Sequence, residues 1–417
     1  MSFEIVEKSQ VLREITLTVP GEIVKRIEGK LVEDARKSMK LKGFRAGKVP
    51  ASLIRQRAGA SIMEDARRDS LQVSVREVLA NIENLLHVSE VEIVTPKLED
   101  GGFVARFNVE VSPAVEAKNY KGLEVTVADA TVSDEDVAAE LEKMRERHAV
   151  IEPVEDRKVV EDGDVVMTTL SAPNAAAEKF CRAGDRQISV GKGFLNEDME
   201  KCLIGATIGE PVQLIAHKEG EDDAIVTCEV KEIKKRVLPE LDDAFALDTG
   251  DAETLAELRE KTKKRLMEDA EKARENKIEE ALLKQLRDSM PIDMPEGYVK
   301  ARAAQAIRLQ LEQMMRQQIN DDMLARIIQN IKPEELDEYR VDYHNEIVLN
   351  AIAKAENIEV SEEDTIAEAK KWFQHLDESK VKNWLKTNNA AQFVGDQVKR
   401  DRALEAVKAA AIIKKEA

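Results

Sequence analysis

Cysteine is scarce in this chain. The three present, Cys181, Cys202 and Cys228, are odd in number, far apart and without zinc-ligand spacing. That excludes a disulfide framework and predicts free thiols in a reducing compartment. Aromatic residues are only 4% of 417 positions, which argues against compact all-β structure. With 18 glycines and 11 prolines, collagen-like and low-complexity classes are excluded. The five histidines, His87, His148, His217, His344 and His375, do not cluster, so neither a metal site nor histidine acid–base chemistry is expected. No glycine-rich phosphate loop is present, so ATP use is not expected. No apolar run approaches the ~18 residues of a membrane span, and MSFEIVEKSQ lacks the basic-then-apolar pattern of a signal peptide. The expectation is a soluble, cytoplasmic chain with no cofactor, no metal and no membrane partner.

What is abundant is charge. Charged residues are 35%, the net charge is −18 and the pI is near 5.0, while 43% of residues are apolar. Such a composition builds real cores and long solvated helices. The length suits two to four domains. An acidic molecule repels nucleic acid and anionic membranes unless it carries a local basic patch.

The chain begins with a small α/β pattern. Ile15, Leu17 and Val19 alternate with Glu14, Thr16 and Thr18, predicting a half-buried strand over 11–19 that Pro20-Gly21 ends. Ile23, Ile27, Leu31, Ala35 and Met39 then follow helical spacing, 43–50 must be a loop, and helix resumes over roughly 51–86. Strands are predicted over 91–95 and 103–111, with Asp100-Gly101-Gly102 as turn chemistry. Residues 116–155 have the texture of a connector, with a short strand at 123–127 and a mostly polar spacer helix capped by Ser133. From 157 to 237 short strands dominate, at 165–169, 188–190, 212–216 and 225–230. From 251 onward the pattern is helical. Met290-Pro291 and Met294-Pro295 interrupt it, a second long helix spans about 296–329, Pro333 opens a third, and Ser361 with Asp364 forms a capping box. The last stretch, from about Ala390, continues as helix. Trp372 and Trp384 are expected to be packing residues. The fold class is α+β multidomain: a small α/β domain, a β-rich domain and an extended all-α C-terminal domain.

The segment Ala35–Met63 reverses the sign of the molecule. It holds Arg36, Lys37, Lys40, Lys42, Arg45, Lys48, Arg55 and Arg57 and no acidic residue. Lys and Arg supply phosphate contacts, and a loop-tip phenylalanine, Phe44, can stack on a base or enter an apolar pocket. Charge alone leaves open a solvated helix face followed by an ordinary loop. The run Gly43-Phe44-Arg45-Ala46-Gly47-Lys48-Val49-Pro50 resembles the GFRxGKxP signature of trigger factors, and the resemblance extends over the whole chain. It implies an ATP-independent chaperone that docks at the ribosomal tunnel exit and shields nascent chains. By that resemblance, Phe44, Arg45 and Lys48 contact a tunnel-exit protein and rRNA of the large ribosomal subunit, while Gly43, Gly47 and Pro50 shape the loop. It also divides the chain into a ribosome-binding domain (1–115), a connector (116–155), an FKBP-like domain (156–240) and a helical chaperone domain (241–417), and it allows a homodimer off the ribosome.

An FKBP-type prolyl isomerase needs an apolar, aromatic-walled bowl for the prolyl ring and no acid or nucleophile. Val160–Asp164, Val190–Gly193 and Gly205…Gly209 resemble that domain's landmarks. The expected pocket positions, Leu170, Phe180, Phe194, Asn196 and Met199, depart from its aromatic lining, and no tyrosine or tryptophan occurs from 121 to 297. A vestigial pocket is therefore expected, with an active isomerase as the alternative function. Six of the twelve methionines fall between Met267 and Met323. Flexible methionine suits a surface that accepts many apolar segments. Met290, Met294, Met314, Met315 and Met323 are the expected client contacts, although each could instead fill a helix seam.

Overall fold

The computed structural model describes residues 1–39, 44, 47–171, 184–191, 193, 195, 197–216, 224–315, 319–387 and 389–415. The chain divides into two compact units, Met1–Val127 with Lys277–Ala417, and Ala128–Asn276.

The first unit opens with β1 (Ser2–Glu7), β2 (Leu12–Val19), α1 (Gly21–Ser38), α2 (Ala51–Leu79), β3 (Leu85–Val88), β4 (Glu92–Thr95) and β5 (Phe103–Val111). The sheet runs β1-β2-β5-β3, with β4 also on β5. Ile15 faces Phe107 and Leu17 faces Ala105. The period of two puts Ile15, Leu17, Val19, Phe103, Phe107 and Val109 on one face, where they pack against Val24 of α1 and Ala66 and Val78 of α2. Pro20 offers no side-chain cap to α1. Asp100 supplies the acceptor instead, taking the Gly21 and Gly102 N–H groups at 2.8 Å each. Those bonds hold its carboxyl below the usual range. A Cβ on Gly21 would lie 2.1 Å from the Asp100 carbonyl oxygen, so only glycine fits there. Two sequence expectations need correction. Strand β1 has no counterpart in the pattern reading, and the helix expected to reach 86 ends at Leu79, because the chain turns through Asn84 in the left-handed region (φ 53°) into β3.

The second unit contains α3 (Asp134–Arg147), β7 (Val150–Pro153), β8 (Val165–Ser171), β9 (Gly184–Ser189), α4 (Glu197–Leu203), β10 (Pro211–Ala216), β11 (Ala224–Val237), α5 (Asp243–Thr249) and the start of α6 (Leu255–Ser289). Strand β6 (Glu124–Val127) precedes it in the first unit. The predicted cap at Ser133 is present: its hydroxyl accepts the Asp136 N–H at 3.1 Å, and Asp136 accepts the Ser133 N–H at 2.9 Å. The expected polar spacer is, however, anchored. Val137, Leu141 and Met144 form a stripe at helical spacing, buried against Phe245, Ala246 and Leu258. The sheet runs β10-β11-β8-β9, with β7 on β11. Its core holds Val166, Ile188, Leu203, Leu214, Val226 and Val230.

The rest of the first unit is helical: α7 (Glu296–Met315), α8 (Asp321–Asn330), a 3-10 turn (Pro333–Leu336), α9 (Asp337–Ala355), α10 (Glu362–Trp372), α11 (Glu378–Leu385) and α12 (Ala390–Ala410). The long helix expected over 296–329 is thus two helices. Pro333 opens the 3-10 turn, as its fixed φ suits. The expectation of helix to the C-terminus is also corrected. Ile412–Lys415 forms β12, paired in parallel with β6, because β-branched Ile412-Ile413 favours extended backbone. Leu282, Leu286, Val348, Ile352 and Val407 pack with Val125 of β6. The Ser361 box forms as predicted, and Arg402 reaches Asp364 at 2.6 Å. Arg402, with the Ser361 N–H and hydroxyl, lowers the Asp364 carboxyl to about 2. The sheet and these helices meet where Glu110 of β5 accepts the Gly297 and Tyr298 N–H groups at 2.9 and 2.7 Å. A carboxylate thus caps the positive end of α7.

Candidate functional site

The basic loop links the C-terminus of α1 to the N-terminus of α2. Its anchor is Val49, fully buried with Val32, Ile54 and Ile62. Its shape comes from Gly47, at φ +82°, where a side chain would be strained. The Gly47 N–H donates to the Arg36 carbonyl at 3.1 Å, tying the loop to the last turn of α1. Pro50, extended at φ −61°, starts α2. Between these fixed points Phe44 is 43% exposed, and Lys48 is exposed. Gly43 and Arg45, also expected in the site, lie outside the described residues.

Neighbouring cations divide into two groups. Arg36, Lys37 and Arg55 face Glu33, Asp34 and Glu28 at 3.2, 2.9 and 2.8 Å. Hydrogen bonds to Asp34 and Glu28 raise the Lys37 and Arg55 pKa values. Among the described residues, Lys48 and Arg57 have no carboxylate within ion-pair distance. The loop therefore carries an exposed aromatic and, among the described residues, a cation with no carboxylate at ion-pair distance, held by a buried valine and a positive-φ glycine.

The expected client methionines separate. Met290 is only 4% exposed within the helical core, and its carbonyl lies 2.8 Å from His344 Nε2. Met294 packs against Val299, Ala303 and Leu336. Met290 thus fills a helix seam, and Met294 is half-buried at another. Met314 (72% exposed), Met315 and Met323 lie on the surface of the α7–α8 hairpin. Beside them Ile307, Met323, Ile327 and Ile331 line an open groove of about 510 Å³. Leu309, exposed on α7, joins this surface without having been expected there, although its apolar side chain lies in a run of Arg, Gln and Glu. The hairpin is held by Glu312, which accepts the Ile319 N–H and the Arg308 Nε–H at 3.1 Å each. Those two bonds, the backbone one first, lower its carboxyl. Trp384 packs edge-to-face with Phe373 at 4.8 Å, as expected of a packing residue. Trp372 and Phe393, 6.1 Å apart, are exposed.

In the β-rich unit, Leu170 and Met199 are buried in the core, at 2% and 1% exposure. Phe180, Phe194 and Asn196 lie outside the described residues. Arg157 and Asp164 form a paired contact, Nη1 to Oδ2 at 2.7 Å, and the Glu161 N–H donates to the same carboxylate at 2.8 Å. Among the described residues no group of His, Cys, Asp and Glu could hold a metal ion, and no helix is long and apolar enough to cross a membrane.

Comparison with known proteins finds relatives along most of the chain. The family model of the bacterial trigger factor protein (TF) matches residues 1–144, and that of the trigger factor C-terminus matches 254–409. The trigger factor of Bacillus subtilis is 31% identical over 374 residues, covering 86% of this chain and 88% of that protein. That of Desulforudis audaxviator is 29% identical over 430 residues, covering 97% and 95%. A solved trigger factor chaperone, from work on promiscuous substrate recognition in folding and assembly, aligns over 98% of this chain at 21% identity and a TM-score of 0.47. The protein is a bacterial folding chaperone with a mixed α/β and helical architecture. The chain belongs to the trigger factor family.

Proposed function

We propose that the chain works in the cytoplasm as an ATP-independent chaperone whose loop 43–50 docks on the large ribosomal subunit beside the tunnel exit. Gly43, Gly47 and Pro50 set the loop's shape, and Phe44, Arg45 and Lys48 make the contacts. The observation that carries this reading is an exposed Phe44 on the same loop as an exposed Lys48 that has no carboxylate partner among the described residues, on a chain of net charge −18. In this reading residues 1–115 bind the ribosome, 116–155 connect, 156–240 form the FKBP-like domain and 241–417 shield the nascent chain. Met314, Met315, Met323 and the groove beside them offer many weak apolar contacts, which suits a client that must be released to fold. The test is ribosome co-sedimentation over a range of salt. Phosphate contacts predict a log–log slope falling by ~0.7 to 0.9 per contact. A flat profile contradicts docking through this loop.

The FKBP-like domain is assigned weak or absent isomerase activity. Side chains at Leu170 and Met199 that belong to the core cannot also wall an open bowl for a prolyl ring. The expected result in a proline-peptide isomerisation assay is a rate close to the uncatalysed one. A rate like that of active FKBP domains would overturn the assignment.

A further inference from the structure

We propose that β1 is a second client-binding surface, an open sheet edge that takes up an extended, apolar, lysine- or arginine-bearing segment of unfolded polypeptide as an added strand. This rests on the chaperone reading above and adds a site and a binding mode to it. β1 is the end strand of its sheet and, among the described residues, pairs with β2 alone. In an antiparallel pair, alternate residues turn their N–H and C=O groups away from the partner strand. Those of β1 form an unsatisfied row, the kind of edge that recruits another strand.

Side chains make this edge adhesive. Phe3 faces Leu17 and Ile5 faces Ile15 across the β1–β2 ladder. Directly opposed residues share a sheet face, so Phe3 and Ile5 continue the apolar core face outward. Leu17 and Ile15 are fully buried, whereas Phe3 and Ile5 are 40% and 39% exposed. Val6 is exposed as well. Natural edge strands are usually blunted by proline, lysine or a bulge. β1 has no proline and no basic residue, and its pairing with β2 is regular over all six residues.

Charge chooses the occupant. The charged residues of β1 are Glu4 and Glu7, the latter 3.1 Å from Arg13. A second copy would bring an equally acidic strand from a chain of net charge −18, and like charges on paired strands destabilise the pair. An extended segment with apolar residues on one face and lysine or arginine between them is complementary in both respects. Main-chain pairing is indifferent to sequence, which suits a chaperone that meets many clients.

The test uses the full chain and a fluorescent twelve-residue peptide of alternating valine and threonine with two lysines and no proline. The edge variant is Phe3→Ser/Ile5→Ser, and the comparison is Met314→Ser/Met315→Ser on the α7–α8 hairpin. The edge variant is expected to weaken peptide binding at least fivefold with its melting curve unchanged, and peptide is expected to slow hydrogen exchange in β1 of the wild type. Unchanged affinity in the edge variant overturns the inference. If the hairpin variant alone removes binding, the edge is not a site and the hairpin client reading stands. If neither variant matters, the edge inference and that client reading both fail. A wild-type dimer that the edge variant abolishes would assign β1 to self-association and overturn the client assignment.

Discussion

The variant Phe44→Ala/Arg45→Ala/Lys48→Ala is expected to lose ribosome binding by two orders of magnitude or more while folding as the wild type does. Two cations are removed from the docking tip, and each phosphate left without its cation lowers the log–log salt slope by ~0.7 to 0.9. Truncating an exposed aromatic that stacks or fills a pocket costs about 1–3 kcal/mol. Together with the missing charges this reaches about 3–4 kcal/mol, where each 1.4 kcal/mol is a factor of ten. The fold is spared because the exposed Phe44 and Lys48 side chains contribute nothing to the core, while Val49, the anchor, is untouched. The same substitution separates docking from shielding, because the hairpin surface at Met314 and Met323 is far away in sequence and unaltered. Client binding by the purified variant should therefore remain at the wild-type level.

The second large effect is on stability. Arg157→Ala is expected to destabilise the 128–276 unit by about 3–5 kcal/mol, the usual cost of removing one partner of a buried ion pair. The Asp164 side chain is 5% exposed. Without the guanidinium it keeps one backbone donor, from Glu161, and loses both side-chain hydrogen bonds that Arg157 gives it. The hydrogen bond to Asp164 also raises the Arg157 pKa, so the guanidinium keeps its charge. Hydrogen exchange on the full chain is the direct readout. Amides of β8 and β11 should exchange a hundredfold faster or more, with partial rescue in Arg157→Lys. Exchange equal to wild type would show that the contact contributes little.

Much of this was legible in the sequence, and the reasons differ by element. Strand β5 follows from a strict period of two, with Phe103, Ala105, Phe107, Val109 and Val111 buried. The boxes at Ser133 and Ser361 follow from local chemistry and form as read. The loop proposed to dock stands out in the sequence because its charge sign, its glycines and its one aromatic all depart from their surroundings. Non-local pairing was not legible. β1 is exposed along its whole length, so burial leaves no pattern in it, and β12 depends on β6, more than 280 residues earlier. The helix 134–147 misled because only Val137, Leu141 and Met144 of its fourteen residues are buried. The methionines show the limit of composition. Met290, just past the end of α6, and Met314, on α7, are the same residue type, yet one is core and the other surface. In the β-rich unit, residue types alone raised the expectation of a missing aromatic wall, and of the five pocket positions only Leu170 and Met199 are among the described residues, both in the core.

The central claim is that the tip of the loop touches the ribosome at the point where new protein emerges. A photo-reactive amino acid in place of Phe44, on translating ribosomes, tests it most directly. The account predicts crosslinks to a large-subunit protein or rRNA at the tunnel exit, fading as salt is raised. Crosslinks only to nascent chain or to free protein, with the ribosome captured instead from a probe on the α7–α8 hairpin, would contradict it.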